Sequence, residues 1–235
     1  MLIMVDGIDG SGKSSIIEAW ENHLLAQGKT VFDLNHYCRE KKSFPTLDQM
    51  RASKFIFSCE PTRVGIGRVL REELTSQNNN YANEAIAQAF SLDRLILYKK
   101  FIIPLLEDGH LVITDRGVST SLAYQTLPGS GLNYTDITQL PGNALALKYR
   151  PDHLIIAQTS PEQAATRLAG RENKKDHSIF EKLETLTTIA NQYTSPAYQN
   201  IFKSLGTQIH YLPTSDKIDI MRAKAIDLLT TILKA

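Results

Sequence analysis

Nine residues near the start of the sequence, GIDGSGKSS at positions 7–15, restrict the fold more than any other stretch. They fit the pattern G-x-x-x-x-G-K-[ST] and lie between an apolar run, LIMVD, and a stretch with helical spacing, IIEAWENHLL. Glycines allow the positive-φ turns and the close backbone approach that phosphates require, and the helix N-terminus adds partial positive charge. The stretch therefore predicts a phosphate-binding loop (P-loop) between a buried strand and a helix. The positions of this loop that are candidates for ATP binding are Gly7, Asp9, Gly10, Ser11, Gly12, Lys13, Ser14 and Ser15.

Size, charge and cysteine content exclude several classes of protein. A chain of 235 residues fits a single domain over 1–235, and 26 basic against 25 acidic side chains leave no global field for attracting nucleic acid. Cys38 and Cys59 lack metal-ligand spacing and are too few for a disulfide framework, which favours reduced thiols and a cytoplasmic protein. No window reaches the roughly 18 consecutive apolar residues that a membrane helix needs, so we expect no membrane partner.

Short apolar segments alternate with helical ones along the chain. LIMVD, TVFDL, FIFSC, LVITD, HLIIAQ and QIHYL have the composition of buried strands. This alternation predicts an α/β fold, a doubly wound parallel sheet of about five strands flanked by helices. The polar segment 35–54 interrupts the alternation as an insertion of unknown purpose. A long helix predicted over 81–109 is apolar around most of its surface, which is typical of a helix that is buried or shared with a second subunit.

A P-loop alone is compatible with a phosphoryl-transfer enzyme or with a GTPase-like switch. The segment 173–176 spells NKKD, which matches the guanine-recognition pattern NKxD. That motif should directly follow a buried strand, whereas here it lies beyond a helix in the basic stretch RENKKDH. The switch is therefore the lesser alternative.

Three further stretches favour the enzyme. Phe90 and Arg94 in QAFSLDRL are four residues apart on one helical face, where a ring can stack on a base and a guanidinium can bind its phosphate or its edge. Asp115 and Arg116 follow the strand LVIT, at the sheet edge where open α/β sheets bind ligands. The stretch CEPTRVGIGRVLR adds a Glu-Pro turn and a helix that carries Arg71.

Together these stretches resemble the thymidylate kinase family of P-loop nucleoside monophosphate kinases. The similarity runs in order through GIDGSGKSS, CEPT, QAFSLDR, ITDRGVSTSLAYQ and PDHLIIAQTSPEQAATRLAGR. It implies a P-loop NTPase fold with a short lid at about 167–180, a homodimer, and Mg²⁺-dependent transfer of the ATP γ-phosphoryl group to dTMP. From the residues alone, dUMP or another pyrimidine monophosphate stays open as the acceptor.

The resemblance also implies roles for individual residues. ATP binding falls to the P-loop positions given above, and Ser14 and Asp115 resemble metal ligands. Catalytic roles fall to Lys13, Asp115, Arg116, Arg167 and Arg171. Acceptor binding falls to Asp9, Glu60, Pro61, Arg71, Phe90, Arg94, Arg116, Ser121, Tyr124 and Gln125.

The chain departs from the family pattern at several positions. Asp6 stands where Glu is usual, Cys59 replaces a frequent Arg, and Arg63 follows Glu-Pro-Thr where Gly or Asp is commoner. The P-loop position that carries Arg in some members is the neutral Ser11. We expect Arg167 and Arg171, four residues apart on the lid helix, to offset the charge that develops on the γ-phosphoryl group. Lys174 and Lys175 fit a solvated helix end better than a catalytic role.

Overall fold

The computed structural model describes residues 1–76, 80–170 and 182–234. Its centre is one parallel sheet of six strands in the order β2-β3-β4-β1-β5-β6. The strands are β1 Leu2–Asp6, β2 Val31–Asp33, β3 Phe55–Cys59, β4 Leu111–Asp115, β5 His153–Gln158 and β6 Gln208–Pro213. The doubly wound α/β class predicted from the alternating pattern is confirmed, with six strands where about five were expected.

Helices fill most of the remaining described chain. They are α1 Lys13–Ala26, α2 Leu34–Lys41, α3 Leu47–Arg51, α4 Ile66–Val69, α5 Asn83–Leu97, α6 Ile103–Glu107, α7 Val118–Tyr124, α8 Tyr134–Gln139, α9 Pro141–Lys148, α10 Pro161–Ala169, α11 Leu183–Thr194, α12 Pro196–Lys203 and α13 Ile218–Lys234. A π-helical turn, Leu70–Leu74, continues α4, and another, Tyr98–Ile102, joins α5 to α6. No helix within the described ranges has both the length and the apolar character needed to cross a bilayer.

Helices cover the sheet on both faces because the strand side chains alternate in direction. Ile3 and Val5 of β1 belong to a core shared with α1 and α13, where the indole nitrogen of Trp20 donates to the Ala225 carbonyl at 2.6 Å. Leu2 and Met4 point to the opposite face, into a larger core with α5, α7, α11 and α12. The central strand β1 is therefore buried on both faces, and this burial fixes the position of the P-loop that follows it.

The carboxyl ends of β1, β3 and β4 meet at one edge of the sheet. Val5 and Cys59 each pair in register with Asp115, so Asp6, Glu60 and Arg116 leave the three strands side by side. The strand order reverses at β1, the place where open α/β sheets form a ligand crevice. This topology brings together segments that are far apart in sequence.

We predict that a histidine pair on β5 and β6 makes the stability of the fold pH-dependent. His153 Nδ1 and His210 Nε2 lie 3.0 Å apart. Burial lowers the pKa of both imidazoles below the usual 6.5, and the charge of His210 lowers that of His153 further. A histidine whose folded pKa is depressed contributes stability above its unfolded pKa of about 6.5, and this contribution is lost as the pH falls below that value.

Urea unfolding at pH 7.5 and pH 5.5 measures this effect. Burial raises the pKa of Glu60 to about 7, so this carboxyl adds stability as the pH falls over the same range, and the histidine effect is measured as a difference. On going from pH 7.5 to pH 5.5, the free energy of unfolding of the wild type should change less favourably than that of His210→Leu, which lacks one titrating ring. An equal change in the wild type and the variant would contradict the prediction.

Candidate active site

The P-loop has a backbone that only glycine fits at several positions. Gly7, Gly10 and Gly12 have φ angles of 138°, 78° and 93°. A Cβ on Gly7 would lie 2.6 Å from the carbonyl oxygen of Ala157, and one on Gly10 would lie 2.5 Å from that of Ala164. The loop between β1 and α1 therefore packs directly on β5 and α10.

Lys13, the first residue of α1, is held against the loop that precedes it. Its Nζ donates to the carbonyl oxygens of Gly7 at 2.9 Å and Ile8 at 2.7 Å. Burial, followed by the positive charge of Arg116, lowers the pKa of Lys13 to about 8. The ammonium is thus still largely protonated at neutral pH, beside the loop where phosphate oxygens would compete with the two carbonyls.

Asp6, at the end of β1, is a fully buried carboxylate that accepts four hydrogen bonds. The donors are the Gly7 amide at 2.8 Å, the Thr120 hydroxyl at 2.7 Å, the Ser119 hydroxyl and the Tyr193 phenol at 2.7 Å. These donors come from the P-loop, α7 and α11. Asp6 therefore links the P-loop to helices more than a hundred residues away in sequence.

Arg116 lies next to this carboxylate in a strained backbone conformation. Its φ is 70°, and its amide donates to the Val5 carbonyl at 2.9 Å. The guanidinium lies 3.8 Å from Asp6 Oδ1, forms an ion pair with Asp9 and stands 5.5 Å from the centre of the Tyr124 ring. Strained, over-determined residues of this kind concentrate at functional sites.

A cavity of about 390 Å³ opens at this edge of the sheet. It brings together most of the predicted P-loop residues with several predicted acceptor and metal residues. The predicted residues that line it are Asp9, Gly10, Gly12, Lys13, Ser14, Ser15, Glu60, Arg71, Asp115 and Arg116. Those that do not line it are Gly7, Ser11, Pro61, Phe90, Arg94, Ser121, Tyr124, Gln125 and Arg167, whereas Arg171, Lys174 and Lys175 lie outside the described residues.

Arg94 has protein partners that sequence reasoning did not foresee. It is buried, and its Nε donates to Glu60 Oε2 at 2.7 Å while its NH1 donates to Asn143 Oδ1. Burial raises the pKa of Glu60 to about 7, although the charge of Arg94 opposes this. The preceding residue, Asp93, accepts from the Thr62 amide and hydroxyl, both at 2.7 Å. Helix α5 thus fixes the loop after β3.

The other predicted acceptor residues surround these elements. Phe90 is half-buried on α5, one helical turn before Arg94, and Ser121 is buried on α7. The Tyr124 hydroxyl donates to the Gly7 carbonyl at 3.5 Å, and Gln125 Oε1 is buried without a hydrogen-bond partner. Their roles toward an acceptor stay predictions.

Arg167, predicted as a catalytic lid residue, connects the P-loop to the residue that follows β6. Its guanidinium donates to the Gly10 carbonyl at 3.3 Å and to the Thr214 carbonyl at 2.6 Å. With Gly12 and Ser15 it lines a second cavity of about 260 Å³. A catalytic role for Arg167 stays a prediction.

The residues predicted to hold Mg²⁺ fit that ion chemically. Ser14 and Asp115 line the same cavity, and Asp115 Oδ1 is buried without a hydrogen-bond partner. Mg²⁺ prefers oxygen ligands and needs only one or two from the protein, because waters and substrate phosphates complete its shell.

Comparisons with known proteins agree on one family. A family model described as thymidylate kinase matches residues 44–225. The chain is 33% identical over 168 residues to a thymidylate kinase of Chlorobaculum parvum, covering 71% of this chain and 65% of that protein, just under two thirds of its length. It is 30% identical over 197 residues to a probable thymidylate kinase of Pyrobaculum calidifontis, covering 84% and 82% of the two chains. A thymidylate kinase of Halalkalibacterium halodurans is 23% identical over 227 residues, covering 97% of this chain and 94% of that protein.

Proposed function

This chain belongs to the thymidylate kinase family, and we propose that it transfers the γ-phosphoryl group of ATP to dTMP, giving dTDP and ADP. The observation that carries the proposal is the single cavity in which P-loop residues, led by Lys13, meet Glu60, Arg71 and Arg116. Such a cavity can hold a donor phosphate chain and an acceptor monophosphate side by side. Nothing in the comparisons favours a GTPase-like switch, and the segment 173–176 that suggested one lies outside the described residues.

The proposed chemistry needs charge and alignment rather than a strong base. The acceptor phosphate has a second pKa of about 6, so at neutral pH it is already largely a dianion and can attack without losing a proton. Lys13 and Arg116 supply positive charge to the phosphoryl group as it passes through a loose transition state. Ser14 and Asp115 would hold Mg²⁺, which neutralises charge on the ATP phosphates when it is bound.

A coupled assay of ADP release over a panel of nucleoside monophosphates tests this function. We expect turnover to be fastest with dTMP, and slower or absent with dUMP and the other monophosphates. Turnover confined to a purine monophosphate would overturn the proposal. ADP release at a rate that does not depend on any acceptor would overturn it as well.

Phe90→Ala should weaken dTMP binding and leave ATP binding almost unchanged. Loss of a base-stacking ring costs about 1–3 kcal/mol, which corresponds to a roughly 5- to 150-fold rise in the dissociation constant of dTMP. Phe44→Ala is the matched control, because Phe44 is also half-buried but packs against Phe101 with ring centres 5.3 Å apart. Isothermal titration with each nucleotide measures both constants. A Phe90→Ala variant weakened for ATP but not for dTMP would place this ring at a different site.

The proposal includes a homodimer formed through the exposed face of α5. Leu92 and Ile96, one helical turn apart, are 45% and 37% exposed. A second copy of the chain would cover this apolar stripe. Light scattering should give about twice the 26.3 kDa of one chain, and the double variant Leu92→Asp, Ile96→Asp should give a monomer. Leu205→Asp, at an exposed position after α12, is the control. A monomeric wild type would contradict the dimer.

The proposal also places the protein in the cytoplasm, with no nucleic-acid or membrane partner. Cys38 and Cys59 are both free thiols, as expected in a reducing compartment. The formal net charge of +1 gives no broad electrostatic attraction for polyanions.

A further inference from the structure

Three arginines that line the 390 Å³ cavity form no direct ion pair with a carboxylate among the residues the structure describes. Arg39 lies on α2, Arg63 in the loop after β3, and Arg71 in the π-helical turn after α4. The other two arginines of this region are compensated, since Arg94 pairs with Glu60 and Arg116 with Asp9. Glu18, Glu21 and Asp33 also line the cavity, and the charge of Asp93 acts on Arg71 at longer range. None of these carboxylates forms a direct ion pair with the three arginines, whose guanidinium groups therefore stay open to an anionic ligand.

Arg63 is held by a residue from the inserted segment 35–54. Its Nε donates to Asn35 Oδ1 at 2.8 Å, and the same oxygen accepts from the Cys59 thiol at 3.1 Å. Asn35 is near the start of α2, where Asp33 caps the helix by accepting from the His36 amide at 3.0 Å. One edge of the Arg63 guanidinium is thus fixed by the protein.

The rest of the Arg63 guanidinium has no described oxygen partner. Apart from the neighbouring Cys59 thiol, no side chain or carbonyl of the described residues accepts from its terminal nitrogens. Burial, then the positive charges of Arg71 and Arg39, lowers the pKa of Arg63, but arginine stays protonated at neutral pH. A half-buried, unpaired cation costs free energy that an arriving anion would recover.

The position of the three arginines identifies that anion. They lie on segments that follow β2 and β3, whereas the P-loop follows β1 on the far side of β4. Glu60 and Arg71, which the family resemblance assigns to the acceptor, are on the same side as Arg63. An anion bound on this side would therefore be the acceptor phosphate rather than the phosphate chain of ATP.

We infer that Arg63 is an additional phosphate-binding residue for the acceptor nucleotide, and that Asn35 is the positioning residue that aims it. This inference rests on the proposed function. It also gives the first residue of the segment 35–54 a role, because the start of α2 brings Asn35 against the loop after β3.

Titration of dTMP and of thymidine, which lacks the phosphate, tests the role of Arg63. Arg63→Ala should raise the dissociation constant of dTMP roughly tenfold or more, the scale of a lost charge-assisted hydrogen bond, and leave those of thymidine and ATP unchanged. Arg68→Ala is the matched control, since Arg68 is exposed, lies 4.0 Å from Glu72 and does not line the cavity. Arg63→Lys should recover part of the affinity because it keeps the charge but loses the planar fork.

A double-mutant cycle tests the positioning role of Asn35. Asn35→Ala should weaken dTMP binding by less than Arg63→Ala, and the double variant should be no weaker than Arg63→Ala alone. A merely structural effect would instead lower the affinity for thymidine as well, or add in full to the effect of Arg63→Ala. Thermal unfolding of each variant identifies any loss of fold.

The two proposals fail in different ways. Wild-type protein that neither binds nor phosphorylates dTMP would overturn the proposed function. If the wild type is active, three results would overturn only the role of Arg63. These are an Arg63→Ala variant that binds dTMP with normal affinity, one that loses affinity for thymidine and dTMP equally, and one that loses affinity for ATP instead.

Discussion

Lys13→Ala should lower kcat by about 100-fold or more, the effect of removing a single preorganised charge from a phosphoryl-transfer site. The Lys13 ammonium is largely protonated at neutral pH and lies against the Gly7 and Ile8 carbonyls, at the start of the helix that faces the cavity. Because its charge acts mainly on the transition state, the KM for ATP should change less than kcat. Steady-state kinetics with ATP and dTMP varied in turn measure both quantities.

The fold should survive this substitution. The Lys13 ammonium makes its two hydrogen bonds to loop carbonyls, so losing them should lower the free energy of unfolding by only about 1–3 kcal/mol. Lys203→Ala is the control, because Lys203 is exposed on α12 and its amine donates to Gln199. A folded Lys13→Ala protein with near-wild-type turnover would show that this loop does not bind the transferred phosphate.

Asp6→Ala should give the largest loss of stability of any single substitution proposed for this site. It leaves buried donors unsatisfied at Gly7, Ser119 and Tyr193 and removes one of the two carboxylates beside Arg116. Removing one partner of a buried charged network costs about 3–5 kcal/mol. Arg116 would also lose its alignment, so kcat should fall even where the variant is still folded. Urea unfolding and kinetics at low temperature measure the two effects.

Two substitutions bracket this result. Tyr193→Phe removes one donor and leaves the carboxylate three others, so it should cost about 1–3 kcal/mol. Asp108→Ala breaks an exposed ion pair with Arg51 and should cost at most about 1 kcal/mol. If the Asp6→Ala variant has the same free energy of unfolding as the Asp108→Ala variant, the network around Asp6 does not hold the site together.

The regular parts of the fold follow from local sequence. Each of the six strands lies at one of the apolar segments, and α1 begins at Lys13, within the last two residues of the P-loop pattern. The predicted helix over 81–109 is present as α5, a π-helical turn and α6. These elements were predictable because apolar periodicity and capping are properties of neighbouring residues.

The helices of the inserted segment 35–54 were not predicted, because the segment is polar and lacks an apolar stripe. The sequence indicated only an insertion there, yet the segment contains most of α2 and all of α3. Thr46 and Gln49 form a capping box at the start of α3, a signal that the sequence did contain. Short polar helices with weak periodicity depend on such caps rather than on an apolar stripe.

The partners within the site could not be predicted from local patterns. Asp6 contacts Tyr193 across 187 positions, and Arg94 contacts Glu60 across 34 and Asn143 across 49. These contacts depend on the sheet order, which places distant chain segments at one edge. Membership of the thymidylate kinase family, predicted from an ordered set of motifs, is confirmed by the family match over 44–225.

Transfer of a labelled phosphoryl group tests the central claim most directly. Wild-type protein is incubated with dTMP, Mg²⁺ and ATP that carries a radioactive γ-phosphoryl group, and the products are separated by chromatography. The account predicts label in the β-phosphate of dTDP, formed at a rate that depends on dTMP and that falls about 100-fold or more in Lys13→Ala. Label released only as inorganic phosphate, at a rate independent of dTMP, would contradict it.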